Sequence, residues 1–146
     1  MIRGLTFKIQ NEYSNFLARI LRNIDISKYY WSISEDEIFN KLNNEFLFNN
    51  DKYNGIEFEK IINGNIYYII FANIKAYLIE TEYEDILNYD DFIKSNCQMI
   101  ILCYDSEFIE IYCKDLSEIE IIKENARQIS IGEIEYITDE NIKEIL

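Results

Sequence analysis

Residues 97–138, CQMIILCYDSEFIEIYCKDLSEIEIIKENARQISIGEIEYIT, decide the fold, because their hydrophobic period switches between strand and helix within 42 residues. Residues 98–104 form a nearly continuous apolar run, and residues 108–113 form a second. Short runs rich in Ile and bounded by turn residues read as strands buried in a sheet. Asp105-Ser106 sits between them as a tight turn, so the two strands are expected to pair as a hairpin. After Cys113 the period lengthens. Leu116, Ile119, Ile122, Ala126 and Ile129 recur at helical steps and line one face. Asp115 or Ser117 opens this helix, and Ser117 with Glu120 has the spacing of a capping box. Gly132 follows the helix end, and residues 133–138 return to a strand. The second half therefore reads β-β-α-β, with a short terminal helix expected over 141–146.

The first half carries the same two periods. Leu5, Phe7 and Ile9 alternate and predict a half-buried first strand over 2–9. From Glu12 the step changes, and Tyr13, Phe16, Leu17, Ile20, Leu21 and Ile24 gather on one helical face. Asn11 is the expected N-cap of that helix, and Arg19 and Arg22 fall near its C-terminal end, where cations suit the dipole. Residues 29–34 read as a strand, and 38–48 fit either a helical or a strand period. A polar loop covers 49–55. Ile56 and Phe58 alternate with Glu57 and Glu59, which predicts a short strand ending at the Asn63-Gly64 turn pair. Residues 66–79 then read as a central strand, and 80–95 as one or two short helices. The expected fold is α+β: a single domain over 1–146, with a mixed or mainly antiparallel sheet and two main helices packed on it.

Composition bounds the function. At 146 residues the chain is long enough to bury a substantial core, and 15% aromatic content argues against disorder. It contains no His, no Pro and four Gly. Without imidazole there is no Ser–His or Cys–His dyad and no mixed Cys/His zinc site. Glycines at 4, 55, 64 and 132 permit neither GxGxxG nor GxxxxGK, and no GxSxG can be written. A calcium loop placed with Gly55 at its sixth position puts Lys52 and Ile61 where carboxylates belong. No cofactor, no metal site and no catalytic residue is therefore expected.

Cys97, Cys103 and Cys113 are odd in number and sit in or beside apolar runs, as reduced buried thiols of a cytoplasmic protein do. Residues 1–10 hold Arg3 and Lys8 and no apolar stretch of signal-peptide length. The most apolar window, 65–79, is broken by Asn73 and Lys75 and falls short of a membrane span. A cytoplasmic location and no membrane contact are expected.

The net charge is −13, and it is uneven. Residues 1–30 carry five basic groups against two acidic ones, whereas the other 116 carry nine against 25. Such a surface repels phosphate backbones, so nucleic acid is not an expected partner. It serves solubility, and it would also steer a basic protein partner. Acids cluster at Glu35-Asp36-Glu37, at Glu80, Glu82, Glu84 and Asp85, and at Asp90-Asp91. Paired carboxylates can act as general acid and base where burial or a like charge raises one pKa. Most clusters in so acidic a chain are solvated faces. In Tyr29-Tyr30-Trp31, alternation sends Tyr29 and Trp31 to one face and Tyr30 to the other, with Trp31 expected in the core. The residues expected to meet a partner are Tyr30, Glu35, Asp36, Glu37, Glu82, Glu84 and Asp85.

Two stretches also carry a resemblance. RGLTFKIQNEYSNFLARIL (3–21), continuing through YYWSI (29–33), is one. The other runs from DFIKSNCQMIILCYDSEFIEIYCKD (91–115) to EIEYITDEN (133–141). Together they resemble a small family of uncharacterised proteins from low-GC Gram-positive bacteria, catalogued as a domain of unknown function. The resemblance covers nearly the whole chain and implies a bacterial cytoplasmic setting, but no activity, cofactor or site residue. The expected function is a non-enzymatic acidic module that binds or regulates a basic protein, an immunity protein being one form. The alternatives are a carboxylate-dependent hydrolase and a structural subunit of a homo-oligomer, with the oligomeric state open.

Overall fold

Asp105 and Ser106 both adopt left-handed backbone, with φ of 53° and 65°, and fold β5 (Cys97–Tyr104) back onto β6 (Phe108–Cys113). Tyr104 lies opposite Phe108 and Met99 opposite Cys113, so the expected hairpin is formed in full. The structure is a computed structural model that describes residues 1–80 and 84–141. The other strands are β1 (Ile2–Ile9), β2 (Tyr30–Asn40), β3 (Lys52–Asn54), β4 (Tyr67–Tyr77) and β7 (Ser130–Thr138). They form one seven-stranded sheet in the order β3-β2-β4-β5-β6-β1-β7. Every pairing among the described residues is antiparallel. β4 is central and paired on both sides, as its apolar run requires.

Helices cover both faces of the sheet. On the first face lie α1 (Phe16–Ile20), α2 (Gly55–Asn63) and α4 (Leu116–Ala126). Phe16, Leu17 and Ile20, then Phe58 and Ile62, then Ile119, Ile122 and Ala126 pack there against Leu5, Trp31, Ile74, Ile101 and Ile111. Each such fully buried side chain contributes roughly 1.5–3 kcal/mol relative to exposure. On the second face α3 (Tyr89–Lys94) lays Tyr89 and Phe92 over Tyr77, Ile100, Leu102 and Tyr112. The fold is α+β, and its second half is β-β-α-β as the period changes predict.

Several elements differ from the sequence reading. The first helix is only five residues long, because Ser14 pairs its N–H and C=O with the backbone of Tyr67, both at 2.9 Å, and holds the preceding segment extended. Its first orphan amide, Leu17 N–H, donates to the Tyr67 hydroxyl at 3.0 Å, and Asn15 rather than Asn11 precedes the helix. Residues 56–59 are not a strand; they lie in α2, and Gly64 ends that helix instead of turning a hairpin. Within 38–48, β2 runs on to Asn40, and Phe46 returns to bridge Phe39 with rings stacked 5.1 Å apart. The N-cap of α4 is Asp115, whose carboxylate accepts from Ser117 N–H at 2.9 Å, in place of a Ser117–Glu120 box. β7 begins at Ser130, and Gly132, with φ of 78°, lies inside it where the register with β1 shifts. The terminal helix expected over 141–146 falls almost wholly outside the described residues.

Candidate binding cleft

The sheet end formed by β3, β2 and β4 gathers the side chains that line a cleft of about 450 Å³. Strand register explains which residues meet there. Tyr30 lies between Asn54 on one side and Tyr77 on the other, and Ser32 lies between Lys52 and Lys75. Residues directly opposite one another point to the same face, so Asn54, Tyr30, Tyr77, Lys52 and Ser32 share the second face of the sheet. Trp31 and Tyr53 also border the cleft, but their side chains alternate to the other face and are buried in the core. Trp31 is held rigidly there: its ring stacks on Phe58 at 4.2 Å, and its Nε1–H donates to Ile26 C=O at 3.1 Å.

Two further segments complete the walls. Asn54 caps α2 by accepting from Glu57 N–H at 2.9 Å and donates its own amide to the Glu57 carboxylate at 2.7 Å. This reciprocal cap fixes Glu57 at the cleft rim. Gly55 lets α2 start in direct contact with the turn before β2, since a Cβ there would run into the backbone of Ile26 and Ser27. Beyond β4 the chain passes Ile79 and Glu80, both exposed and both lining the cleft.

Electrostatically the rim carries two exposed carboxylates, Glu57 and Glu80, against one exposed cation, Lys52. Lys52 makes no ion pair among the described residues. Ser32 is only 4% exposed, and its hydroxyl has no hydrogen-bond partner among the described residues. Tyr30, at 37% exposure, offers an accessible ring. An aromatic face with carboxylates beside it suits a primary ammonium or guanidinium group, which gains both charge pairing and cation–π contact.

The sequence-predicted partner residues do not converge. Tyr30 lines the cleft. Asp36 is half-buried and Glu37 exposed opposite Phe71, seven residues along β2, which at strand rise is about 23 Å from Tyr30. The side chain of Glu35 and the whole of Glu82 lie outside the described residues. Glu84 is half-buried and accepts from Asn96 N–H at 3.1 Å, while Asp85 is exposed. Asp91 accepts from Leu87 N–H at 3.1 Å and its own N–H is capped by Asn88, which gives that acid a structural task. Glu57 and Lys52 were missed as site residues. The Asn54-x-x-Glu57 spacing was the available signal for the first, and nothing in the local sequence marked the second.

The thiols and tyrosines that shift are raised chiefly by burial. Burial pushes Cys97 up to about 11 and Cys103 up to about 12, and raises Cys113 well above the ordinary thiol range, so these free, buried thiols are unreactive at neutral pH. Burial first, then its bond to Glu118, raises the Tyr29 phenol. Among the described residues the carboxylates that shift go down: Asp115 through its hydrogen bond from Ser117, and Asp139 through that from Arg3. Among the described residues no three Cys, Asp or Glu side chains are grouped to hold a metal ion. No helix among them is long and apolar enough to cross a membrane.

A family model described as "Protein of unknown function (DUF2691)" matches residues 2–145. A protein of Bacillus subtilis (strain 168), "Uncharacterized protein YncE", is 37% identical over 145 residues, covering 97% of this chain and 95% of its own length. No solved structure is significantly similar to the chain.

Proposed function

The chain belongs to the DUF2691 family of proteins of unknown function, and from that premise we propose that it is a non-enzymatic module that binds a basic protein in the bacterial cytoplasm. The observation that carries this reading is the cleft at the β3–β2–β4 end, where Tyr30, Glu57 and Glu80 form an aromatic and acidic seat for a cationic side chain. The net charge of −13 supports it, because a strongly acidic exterior draws a basic partner in and orients it before contact. Neutralisation of a basic toxin is one concrete form of such a function.

The test is affinity capture on the wild-type chain and on a Glu57→Gln, Glu80→Gln variant, at about 0.05 M and about 0.5 M salt, between which the Debye length shrinks roughly threefold. A basic protein retained by the wild type at low salt, and released by salt or by the variant, supports the reading. Equal retention by both proteins at both salts contradicts it.

A second reading, carboxylate-dependent hydrolysis, is favoured by one observation: two carboxylates, Glu57 and Glu80, line one cleft beside the Tyr30 ring. Chromogenic glycosides cleaved by the wild type and left intact by Glu57→Gln would establish it. No turnover of any of them leaves the binding reading standing.

A further inference from the structure

We propose that the cleft between the end of α1 and the last turn of α4 is a second ligand site, which takes a small oxyanion of the phosphate type. This cleft, about 260 Å³, lies on the first face of the sheet, away from the acidic cleft. Arg19 and Arg22 line it from the α1 side, and Asn23 and Gln128 stand beside them.

The walls are fixed by one side chain. Asn125, in α4, donates through Nδ2 to Ile20 C=O at 2.9 Å and to Arg22 C=O at 2.6 Å. Asn23, at φ of 68°, turns the corner immediately afterwards. The backbone that carries the two arginines is thereby clamped to α4, while their guanidinium groups are left in solvent.

Charge pairing inside the cleft leaves both arginines available. The only carboxylate on its walls among the described residues, Glu124, is engaged by Arg127 at 3.0 Å. Neither Arg19 nor Arg22 forms an ion pair among the described residues. Guanidinium forks present parallel N–H donors that match the edges of a tetrahedral oxyanion, and side-chain amides add donors of the same kind.

Size and field select the ligand further. The volume falls below the roughly 300–1,000 Å³ of clefts that enclose drug-sized ligands, so it suits one phosphate group rather than a nucleotide. The net charge of −13 repels polyanions, which disfavours nucleic acid and leaves a free phosphate ion or a small phosphomonoester.

The experiment is isothermal titration of the full chain with inorganic phosphate and, separately, with phosphoserine, each against chloride of equal ionic strength. Saturable single-site binding is expected from phosphate or phosphoserine, the tighter of the two identifying the source. Arg19→Gln and Arg22→Gln are each expected to weaken it about tenfold or more, the loss of one charge-assisted contact. Both side chains are exposed, so the ligand-free melting temperatures of the variants should match the wild type, and Arg22→Lys should retain part of the affinity. No heat beyond the chloride control, or undiminished binding in the double glutamine variant, would overturn the proposal.

Discussion

The Tyr29 hydroxyl lies 2.7 and 2.9 Å from the two carboxylate oxygens of Glu118, joining the entry of β2 to the first turn of α4 across 89 residues of sequence. Glu118 is 5% exposed, and the nearest cation, Lys28, stands 3.9 Å away on the solvent side. A carboxylate so enclosed needs a donor, and the phenol supplies it. Burial and the adjacent charge hold that phenol in its protonated, donating form.

Tyr29→Phe should therefore cost about 1.5–3 kcal/mol, the range for a hydrogen bond to a charged group, because the carboxylate is left buried without it. Urea unfolding measures the loss. Glu118→Gln should cost less, since an amide retains an acceptor for the phenol and carries no charge to desolvate.

Gly55→Ala and Gly132→Ala separate two reasons for glycine. At Gly55 a methyl group meets the backbone of Ile26 and Ser27, which cannot yield as a side chain could, so about 1–3 kcal/mol should be lost. At Gly132 the space is open and only the positive φ resists, so about 1–2 kcal/mol is expected there. In thermal unfolding only Gly55→Ala should also loosen the cleft, seen as faster hydrogen exchange at Glu57.

Alkali should unfold the protein more readily than a chain with exposed tyrosines and thiols. Cys97, Cys103, Cys113, Tyr29, Tyr67 and Tyr112 all have folded pKa values raised chiefly by burial. A raised folded value means that the unfolded chain releases its proton first. The contribution is complete below the ordinary thiol value of 9.0 and is lost as pH climbs through about 11 and 12, the folded values of Cys97 and Cys103. Melting temperature should be flat in this respect from pH 7 to 9 and fall steeply above it. A profile unchanged up to pH 11 would contradict the burial described for these groups.

Where side-chain period was clean, the fold was legible. The apolar run of β6 is buried on both faces from Ile109 to Cys113, and Ile119, Ile122 and Ala126 mark α4 at helical steps. α2 was misread because Ile56 and Phe58 alternate with glutamates, although its buried side chains are Phe58 and Ile62, one helical turn apart, below the buried Gly55, while Ile56 is exposed. The Asn54–Glu57 cap was the stronger signal. α1 was overextended because its shortening depends on Ser14 pairing with Tyr67, 53 positions away. The cleft was legible only at Tyr30. Lys52 and Glu80 join it through the pairing of β2 with β3 and β4, and no local pattern encodes which strands become neighbours.

Tyr30→Ala should abolish recognition without unfolding the chain, because Tyr30 is on the rim while its neighbour Trp31 is 1% exposed and supplies the packing. Trp31→Ala should do the reverse, costing about 3–5 kcal/mol of stability through the cavity left against Phe58. Circular dichroism melts beside capture assays separate the two effects.

The acidic cleft is tested most directly by isothermal titration of the chain with a lysine- and arginine-rich peptide, in the wild type and in the Glu57→Gln, Glu80→Gln variant, at low and high salt. Saturable, salt-sensitive binding to the wild type that the variant loses is the predicted result. No binding heat from the basic peptide, or equal binding by both proteins, would contradict the assignment of this cleft as the seat of a cationic partner.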